Sequence, residues 1–411
     1  MKRLCLVLAV VLAAGSALAI SDGGGGYIYW SQGFPGGVIT NYQVYRIQVS
    51  NNWGIAVSKT LVAEVGADTN NTYGSFSAML QRNTLEVRDP RHLSRQNKGR
   101  LLQPRPGVPW NHLGETANYD TAWDLIQIDP SDWSRTTLCD GINVDATRST
   151  RVTGKWVTAP EDWAGGASHG LSFAAVRLFW SSYVNAVHDS NTNGVIDNAA
   201  AEITSRGTTS PDAADAEMGG DGALYYSVPP SSIYRLQGNG TLTNFFTLGG
   251  TGNPVKSFPD GGGIAVGSGT ASPIVYLAGM NTNASSKCAI FALKDGDGDK
   301  VVTPGNTNDT ITAVWTYNDF AIAPGNSGDI YGLDDVEFYQ APASGKKFLV
   351  AHEYYGRVWV LELAADGLSA IAGKWIQSVR DGPGPNGYKS GFELDMAPPP
   401  PPPLGTMVLL R

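Results

Sequence analysis

Two short acidic segments combine oxygen-bearing side chains with the spacing of a cation-binding loop. The first runs from Asp189 to Asp197 and the second from Asp295 to Thr303. In each segment side-chain oxygens recur at alternate positions of a tight turn, so they can converge on one hard cation. An acidic residue follows each segment, Glu202 in the first case and Asp309 in the second. The pattern predicts a Ca²⁺ site in each loop.

The candidate ligands lie at loop positions one, three, five and nine, with a backbone carbonyl available at position seven. Those of the first loop are Asp189, Asn191, Asn193, Val195 and Asp197, with Glu202 beyond the loop. Those of the second loop are Asp295, Asp297, Asp299 and Thr303, with Asp309 beyond the loop. Two departures from an EF-hand loop are Ala200 at position twelve of the first loop and Lys300 at position six of the second. The alternative is an acidic hairpin tip whose Asp, Asn and Gly suit the turn.

Both loops stand at the same place in a repeating module. Each follows an apolar strand-like run and precedes a strand that begins with Ile-Thr, at Ile203 and at Ile311. The same unit, an apolar and aromatic strand followed by an Asx/Gly turn, recurs around Tyr234 and Trp359. Module starts are roughly 45–50 residues apart, which is typical of four-stranded propeller blades. We therefore predict an all-β fold, a β-propeller of about seven four-stranded blades.

The two ends of the chain predict closure of the ring. Residues 391–395 resemble residues 332–338, which open the preceding module, and the first strand-like run begins at Tyr27. Strands from the N- and C-terminus that complete one blade leave no exposed edge in the ring. The structural alternative, a pair of β-sandwiches, does not predict this repeat.

Composition limits the functional classes. The 411-residue chain has a formal net charge of −8 and no basic cluster, so we expect no nucleic-acid partner. Residues 1–19 read as a signal peptide, and no later stretch is apolar enough to span a membrane. We predict one secreted, extracellular or cell-surface domain over residues 20–411, with a Pro-rich segment at 398–403. Beyond the signal peptide, Cys139 and Cys288 form either one disulfide or two free thiols.

The acidic loops resemble those of secreted bacterial β-propeller proteins whose blades carry EF-hand or dockerin-like loops of the type DxNGDGD…E. Such proteins are common among exported proteins with a C-terminal Pro-Glu-Pro sorting signal. The resemblance covers the modules from about Leu171 onward. It implies calcium-binding hairpins and does not imply an activity.

Few residues suggest catalysis. The five histidines show neither HExxH nor a zinc-ligand spacing. Asp334, Asp335, Glu337 and His352 are the candidates for a carboxylate site at a central channel. A second acidic group, in a Gly- and Ala-rich segment, is predicted to be a solvated loop face: Asp212, Asp215, Glu217 and Asp221.

The preferred function is therefore a non-catalytic, calcium-stabilised structural or assembly subunit or binding module. Its partner is then either another copy of the chain or an extracellular polymer. The alternatives are a propeller hydrolase or lactonase and a glycan-binding, lectin-like propeller.

Overall fold

A computed structural model provides the architecture. It describes residues 27–32, 41–49, 56–66, 86–87, 101–106, 123–128, 135–139, 155–160, 162–163, 171–176, 182–197, 199–209, 213–257, 263–269, 271–281, 288–316, 319, 333–341, 344–353, 357–378 and 391–397. The predicted signal peptide and the Pro-rich segment 398–403 lie outside these ranges. No helix in the described ranges is long and apolar enough to cross a membrane.

The described residues form 25 strands and one short helix, which confirms the all-β prediction. The strands are β1 (Tyr27–Gln32), β2 (Asn41–Val49), β3 (Ala56–Gly66), β4 (Glu86–Val87), β5 (Leu101–Pro106), β6 (Trp123–Ile128), β7 (Arg135–Cys139), β8 (Lys155–Thr158), β9 (Ser172–Val176), β10 (Ser182–His188), β11 (Ile203–Thr209), β12 (Asp215–Met218), β13 (Leu224–Val228), β14 (Ser232–Leu236), β15 (Leu242–Thr247), β16 (Val255–Ser257), β17 (Ile264–Val266), β18 (Val275–Asn281), β19 (Cys288–Lys294), β20 (Thr310–Thr316), β21 (Leu333–Gln340), β22 (Lys347–Glu353), β23 (Arg357–Leu363), β24 (Ala370–Ser378) and β25 (Gly391–Ala397). The helix α1 is Ala199–Glu202.

These strands form six antiparallel sheets, which we number in chain order. Sheet 1 has the order β25-β1-β2-β3, sheet 2 is β4-β5-β6-β7, sheet 3 is β8-β9-β10-β11 and sheet 4 is β12-β13-β14-β15. Sheet 5 is β16-β18-β19-β20, with β17 also paired to β18, and sheet 6 is β21-β22-β23-β24. Consecutive strands are antiparallel neighbours in most of each sheet, as expected when short turns join them. The exceptions are β25, which pairs with β1 in sheet 1, and β16 and β17, which both pair with β18 in sheet 5. Among the described strands, sheet 1 alone combines strands from distant parts of the chain.

The first strands of the six sheets, with β17 taken as the first strand of sheet 5, contact one another in a cycle. β4 contacts β8, β8 contacts β12, β12 contacts β17, β17 contacts β21, β21 contacts β25, and β25 contacts β4. Within the described residues six sheets follow one another in this cycle, so the prediction of about seven blades is not confirmed. The arrangement is propeller-like.

Sheet 1 joins the two ends of the described chain. β25 pairs antiparallel with β1, with Tyr27 opposite Ala397 and Trp30 opposite Leu394. The predicted pairing of N- and C-terminal strands is therefore present. Through β25, which also contacts β21 and β4, the C-terminal segment links sheet 6 to sheets 1 and 2.

Apolar side chains pack between neighbouring sheets. Tyr225 and Phe245 of sheet 4 share one buried cluster with Val275 and Phe291 of sheet 5. Between sheets 5 and 6, the ring of Tyr276 stacks on that of Phe338, with centroids 5.8 Å apart. Cys288 is buried in β19.

Removal of β25 tests the closure of sheet 1. Truncation after Ser390 deletes a strand whose ladder hydrogen bonds contribute about 0.5–1.5 kcal/mol each, so we expect a loss of roughly 3 kcal/mol or more. The free energy of unfolding in urea measures this loss. The matched control is truncation after Ala397, which retains β25. Equal stability of the two truncated chains would contradict closure by this strand.

Candidate metal centre

The two acidic loops occupy equivalent hairpins of two sheets. The first joins β10 to β11 through α1, and the second joins β19 to β20. In both sheets the hairpin connects the third and fourth strands, counted from the first strand of that sheet. The shared placement read from the sequence is therefore present. Both loops lie away from the first strands, at the outer part of their sheets.

Three carboxylates meet in the second loop. One oxygen from each of Asp295, Asp297 and Asp309 lies within 4.8 Å of the other two. Asp295 is buried, Asp309 is half-buried and Asp297 is exposed. Such a group has all-oxygen donors and concentrated negative charge, which suits a hard divalent cation. Among the described residues, these three carboxylates are the one group of at least three acidic, His or Cys side chains close enough together to hold a metal ion.

Backbone amides hold these carboxylates in place. Asp295 accepts hydrogen bonds from the amides of Gly298 at 2.7 Å and Lys300 at 3.0 Å. Asp309 accepts from the amides of Gly296 at 3.1 Å and Thr303 at 2.9 Å. The long loop thus has many of its polar groups satisfied internally, which orients the carboxylates towards one another.

Asn306 is a member of this site that the sequence analysis did not name. Its side-chain amide donates to both Asp297 and Asp309 at 3.0 Å. The hydrogen bond from Asn306, with a further one from the amide of Asp299, holds the pKa of Asp297 below its usual value. Asn306 occupies position twelve of the loop, the position of the bidentate carboxylate in an EF-hand, and that position was the available signal.

The first loop satisfies its amides in the same way. Asp189, at position one, accepts from Asn193 at 3.1 Å and Gly194 at 2.6 Å. Glu202 accepts from the amides of Ser190 at 3.2 Å and Asp197 at 2.7 Å. Glu202 therefore bonds the amides of positions two and nine, and Asp309 bonds the amides of the same positions in the second loop. The two residues beyond the loops are equivalent in structure.

The two loops also share an unusual backbone. Positions four and six have positive φ in both, Thr192 (58°) and Gly194 (89°) in the first loop, Gly298 (87°) and Lys300 (70°) in the second. Each loop thus has one glycine and one larger residue in the left-handed region, in opposite order. Lys300 at position six is compatible with the loop conformation because its backbone adopts the angle that glycine usually provides.

Several candidate ligands make other contacts. Asn191 and Asn193 donate their side-chain amides to Asp197 at 3.2 and 2.8 Å. Asp299 accepts from the amide of Val301 at 2.8 Å and lies outside the three-carboxylate group. The backbone amide of Thr303 donates to the carboxylate of Asp309. The backbone amide of Val195 donates to the side-chain oxygen of Asn193 at 2.9 Å. The structure thus brings together Asp295, Asp297 and Asp309 most closely.

A second set of carboxylates lies on the first strands. Asp215 in β12 and Asp335 in β21 are buried, and each accepts from the following amide at 2.8 Å. Asp215 also accepts from the amide of Ile264 in β17, at 2.7 Å. The prediction that Asp215 and Glu217 lie on a solvated loop face is wrong, because both belong to a strand of the ring.

The prediction of a solvated loop face is also wrong for Asp221. It forms a buried ion pair with Arg235, with 2.8 Å between carboxylate and guanidinium. Tyr225 donates its hydroxyl to the same carboxylate at 3.1 Å. Asp221 therefore helps to fix the β12–β13 turn within sheet 4.

Comparisons with known proteins give structural similarity at low sequence identity. The sequence matches no protein-family model, and no curated protein is similar to it. A candidate 6-phosphogluconolactonase from Bacteroides fragilis is similar over 91% of this chain and 98% of its own, with 11% identity and a TM-score of 0.41. The periplasmic gluconolactonase of Pseudomonas aeruginosa is similar over 85% and 82%, also with 11% identity and a TM-score of 0.41. An engineered GH43 glycoside hydrolase is similar over 68% of this chain, which spans half of that protein, with 12% identity and a TM-score of 0.37.

These comparisons correct the preferred functional prediction. The solved structures similar to this chain include a glycoside hydrolase and gluconolactonases, and the prediction of a non-catalytic structural subunit or binding module is withdrawn. The alternative, a hydrolase or lactonase, replaces it as the hypothesis that is tested against the residues of the chain.

Substitution of the residue at position six of each loop tests whether that position has a left-handed backbone conformation in both loops. A left-handed conformation costs an L-residue about 1–2 kcal/mol, so Lys300→Gly is expected to raise the free energy of unfolding by about 1 kcal/mol. Gly194→Lys is expected to lower it by a similar amount. Urea denaturation at one calcium concentration measures both changes. Lys300→Ala is the control, since it removes the hydrogen bond from Lys300 Nζ to Ala271 and keeps the Cβ. Equal stability of the Ala and Gly variants would contradict the assignment.

Proposed function

We propose that the chain is a secreted, calcium-stabilised propeller hydrolase or lactonase that acts near the centre of its ring of sheets. The observation that carries this proposal is a repeated Asp-x-Glu pattern on two first strands. Asp215 and Glu217 form it in β12, and Asp335 and Glu337 form it in β21. Residues two apart in a strand point to the same side, so each strand presents a pair of carboxyl groups.

The two members of each pair have different environments. Asp215 and Asp335 are buried and accept hydrogen bonds from backbone amides, which suits an orienting role. Glu217 and Glu337 are half-buried and retain contact with solvent. A carboxyl group that reaches solvent in a partly enclosed site can take a proton from water or give one to a leaving group. The glutamates are therefore the proposed acid and base groups.

The reaction class follows from carboxylate chemistry. In lactone hydrolysis, one carboxylate accepts a proton from water as the water oxygen bonds to the carbonyl carbon. The ring C–O bond then breaks, and the alkoxide receives a proton from the second group. Glycoside hydrolysis uses the same two roles, with protonation of the leaving oxygen by one carboxyl group and activation of water by the other. A sugar-derived lactone or glycoside is thus the proposed substrate class.

Calcium has a separate place in the proposal. The acidic loops lie between third and fourth strands, away from the first strands that carry the Asp-x-Glu pairs. A cation held by Asp295, Asp297 and Asp309, with a second held by the Asp189–Glu202 loop, would neutralise their charge and keep each long hairpin folded. Oxygen-only ligands and a flexible loop favour calcium over softer metals. The proposed role of calcium is structural.

Substitution of the half-buried glutamates tests the enzyme proposal. Glu217→Gln and Glu337→Gln keep the side-chain shape and remove the titrating group, so turnover is expected to fall about 10²–10⁴-fold. Initial rates on a panel of aldonolactones and aryl glycosides measure the loss. Asp366→Asn, in the exposed β23–β24 turn, is the control and should leave the rates unchanged. Absence of turnover by the unmodified protein on the whole panel would overturn the proposal.

Calcium titration tests the loop proposal independently of turnover. At a calcium concentration 100 times the dissociation constant, each site should add about 2.7 kcal/mol to the free energy of unfolding. Asp295→Asn and Asp309→Asn are expected to remove the contribution of one site, and Glu202→Gln that of the other. Isothermal titration calorimetry and urea unfolding measure binding and stability, and Asp366→Asn is again the control. A protein whose stability is identical in calcium and in excess chelator would contradict calcium binding.

A further inference from the structure

The first acidic loop contacts the sheet that precedes its own. Ile196, at position eight, donates its backbone amide to the carbonyl of Leu138 at 2.6 Å. Leu138 belongs to β7, the last strand of sheet 2, whereas the loop belongs to sheet 3. The side chain of Ile196 is buried in a cluster that includes Leu138 of sheet 2 and Phe173 of sheet 3. One residue therefore bonds and packs across the boundary between two sheets.

The second loop makes the same contact at the boundary between sheets 4 and 5. Val302 also stands at position eight, and its amide donates to the carbonyl of Phe245 at 2.6 Å. Phe245 belongs to β15, the last strand of sheet 4, whereas the loop belongs to sheet 5. Val302 forms a parallel bridge with Phe246, and its buried side chain packs in the cluster that contains Phe245 and Phe291. The two loops thus share a contact that lies outside their carboxylate groups.

Two shorter hairpins reach the preceding sheet by other means. Tyr276 of sheet 5 donates its hydroxyl to the carbonyl of Gly367, in the β23–β24 turn of sheet 6, at 2.9 Å. Gly238, in the β14–β15 turn, lies so close to the carbonyl of Trp163 that an added Cβ would be 2.6 Å from it. In all four hairpins the contact is directed from one sheet to the sheet before it.

We propose that the residue at position eight of each acidic loop, Ile196 or Val302, is an inter-sheet bridge that holds the outer strands of neighbouring sheets together. Sheets that radiate from a common centre are farther apart at their fourth strands than at their first strands. A short turn reaches only a nearby group, whereas a loop of about a dozen residues spans a wider gap. The long loops therefore join sheet 2 to sheet 3 and sheet 4 to sheet 5 at the periphery.

Hydrogen exchange measured by mass spectrometry tests this proposal on the full chain at one calcium concentration. Val302→Ala removes buried side-chain contacts, so peptides that contain β15 should exchange about tenfold faster than in the unmodified protein. Peptides from β23 and β24 should be unchanged. Ile196→Ala should likewise accelerate exchange in β7. The controls are Val301→Ala and Val195→Ala, which truncate the half-buried neighbours at position seven and should leave β15 and β7 as they were.

The location of the change decides between an inter-sheet bridge and a local anchor. Faster exchange confined to residues 295–309, with β15 unaffected in Val302→Ala, would overturn the proposal. If Val302→Ala does not fold, Val302→Thr keeps the branched shape and introduces a hydroxyl into the cluster, and the same peptides report the result. Equal acceleration by the position-seven and position-eight variants would also overturn it.

Discussion

The fold depends on sheets that are apolar on both faces. In β23, four consecutive residues from Val358 to Leu361 are buried, so side chains on both sides of the strand avoid water. A sheet of this kind is stable only between two neighbours, and each neighbour has the same requirement. An arrangement without end sheets meets the requirement for all of them. The contacts among the first strands of the six sheets follow that logic.

Polar groups occur where the apolar packing leaves backbone amides to be satisfied. On the first strands, Asp215 bonds an amide of the next sheet and thereby links two sheets near the centre. In the outer hairpins, Asp189, Glu202, Asp295 and Asp309 bond the amides of long loops. These carboxylates therefore share one structural role, to accept hydrogen bonds from backbone amides, although the two groups lie in different regions of the sheets. The enzyme proposal concerns their half-buried neighbours, Glu217 and Glu337.

The sequence predicted the class of fold and the place of the acidic loops because both depend on local patterns. Apolar alternation and Asx/Gly turns identify strands such as β14 and β23, and their similar places beyond the two loops identified Glu202 and Asp309 as equivalent residues. The number of sheets depends on long connections, which have no local signature. β12 was missed because it has four residues beside Gly- and Ala-rich segments. Lys300 departs from the glycine expected at position six, and the sequence has no signal for a lysine in the left-handed conformation.

The pairing of β1 with β25 has a consequence for biosynthesis. Tyr27 and Ala397 are partners across almost the whole length of the chain. During translation β1 lacks its neighbour on that side until the C-terminal residues have left the ribosome, so a nascent chain exposes an open strand edge for nearly the entire elongation time. Contacts between such distant residues form slowly because a long loop must close first. Factors that shield nascent β-strands should therefore influence the yield of this protein.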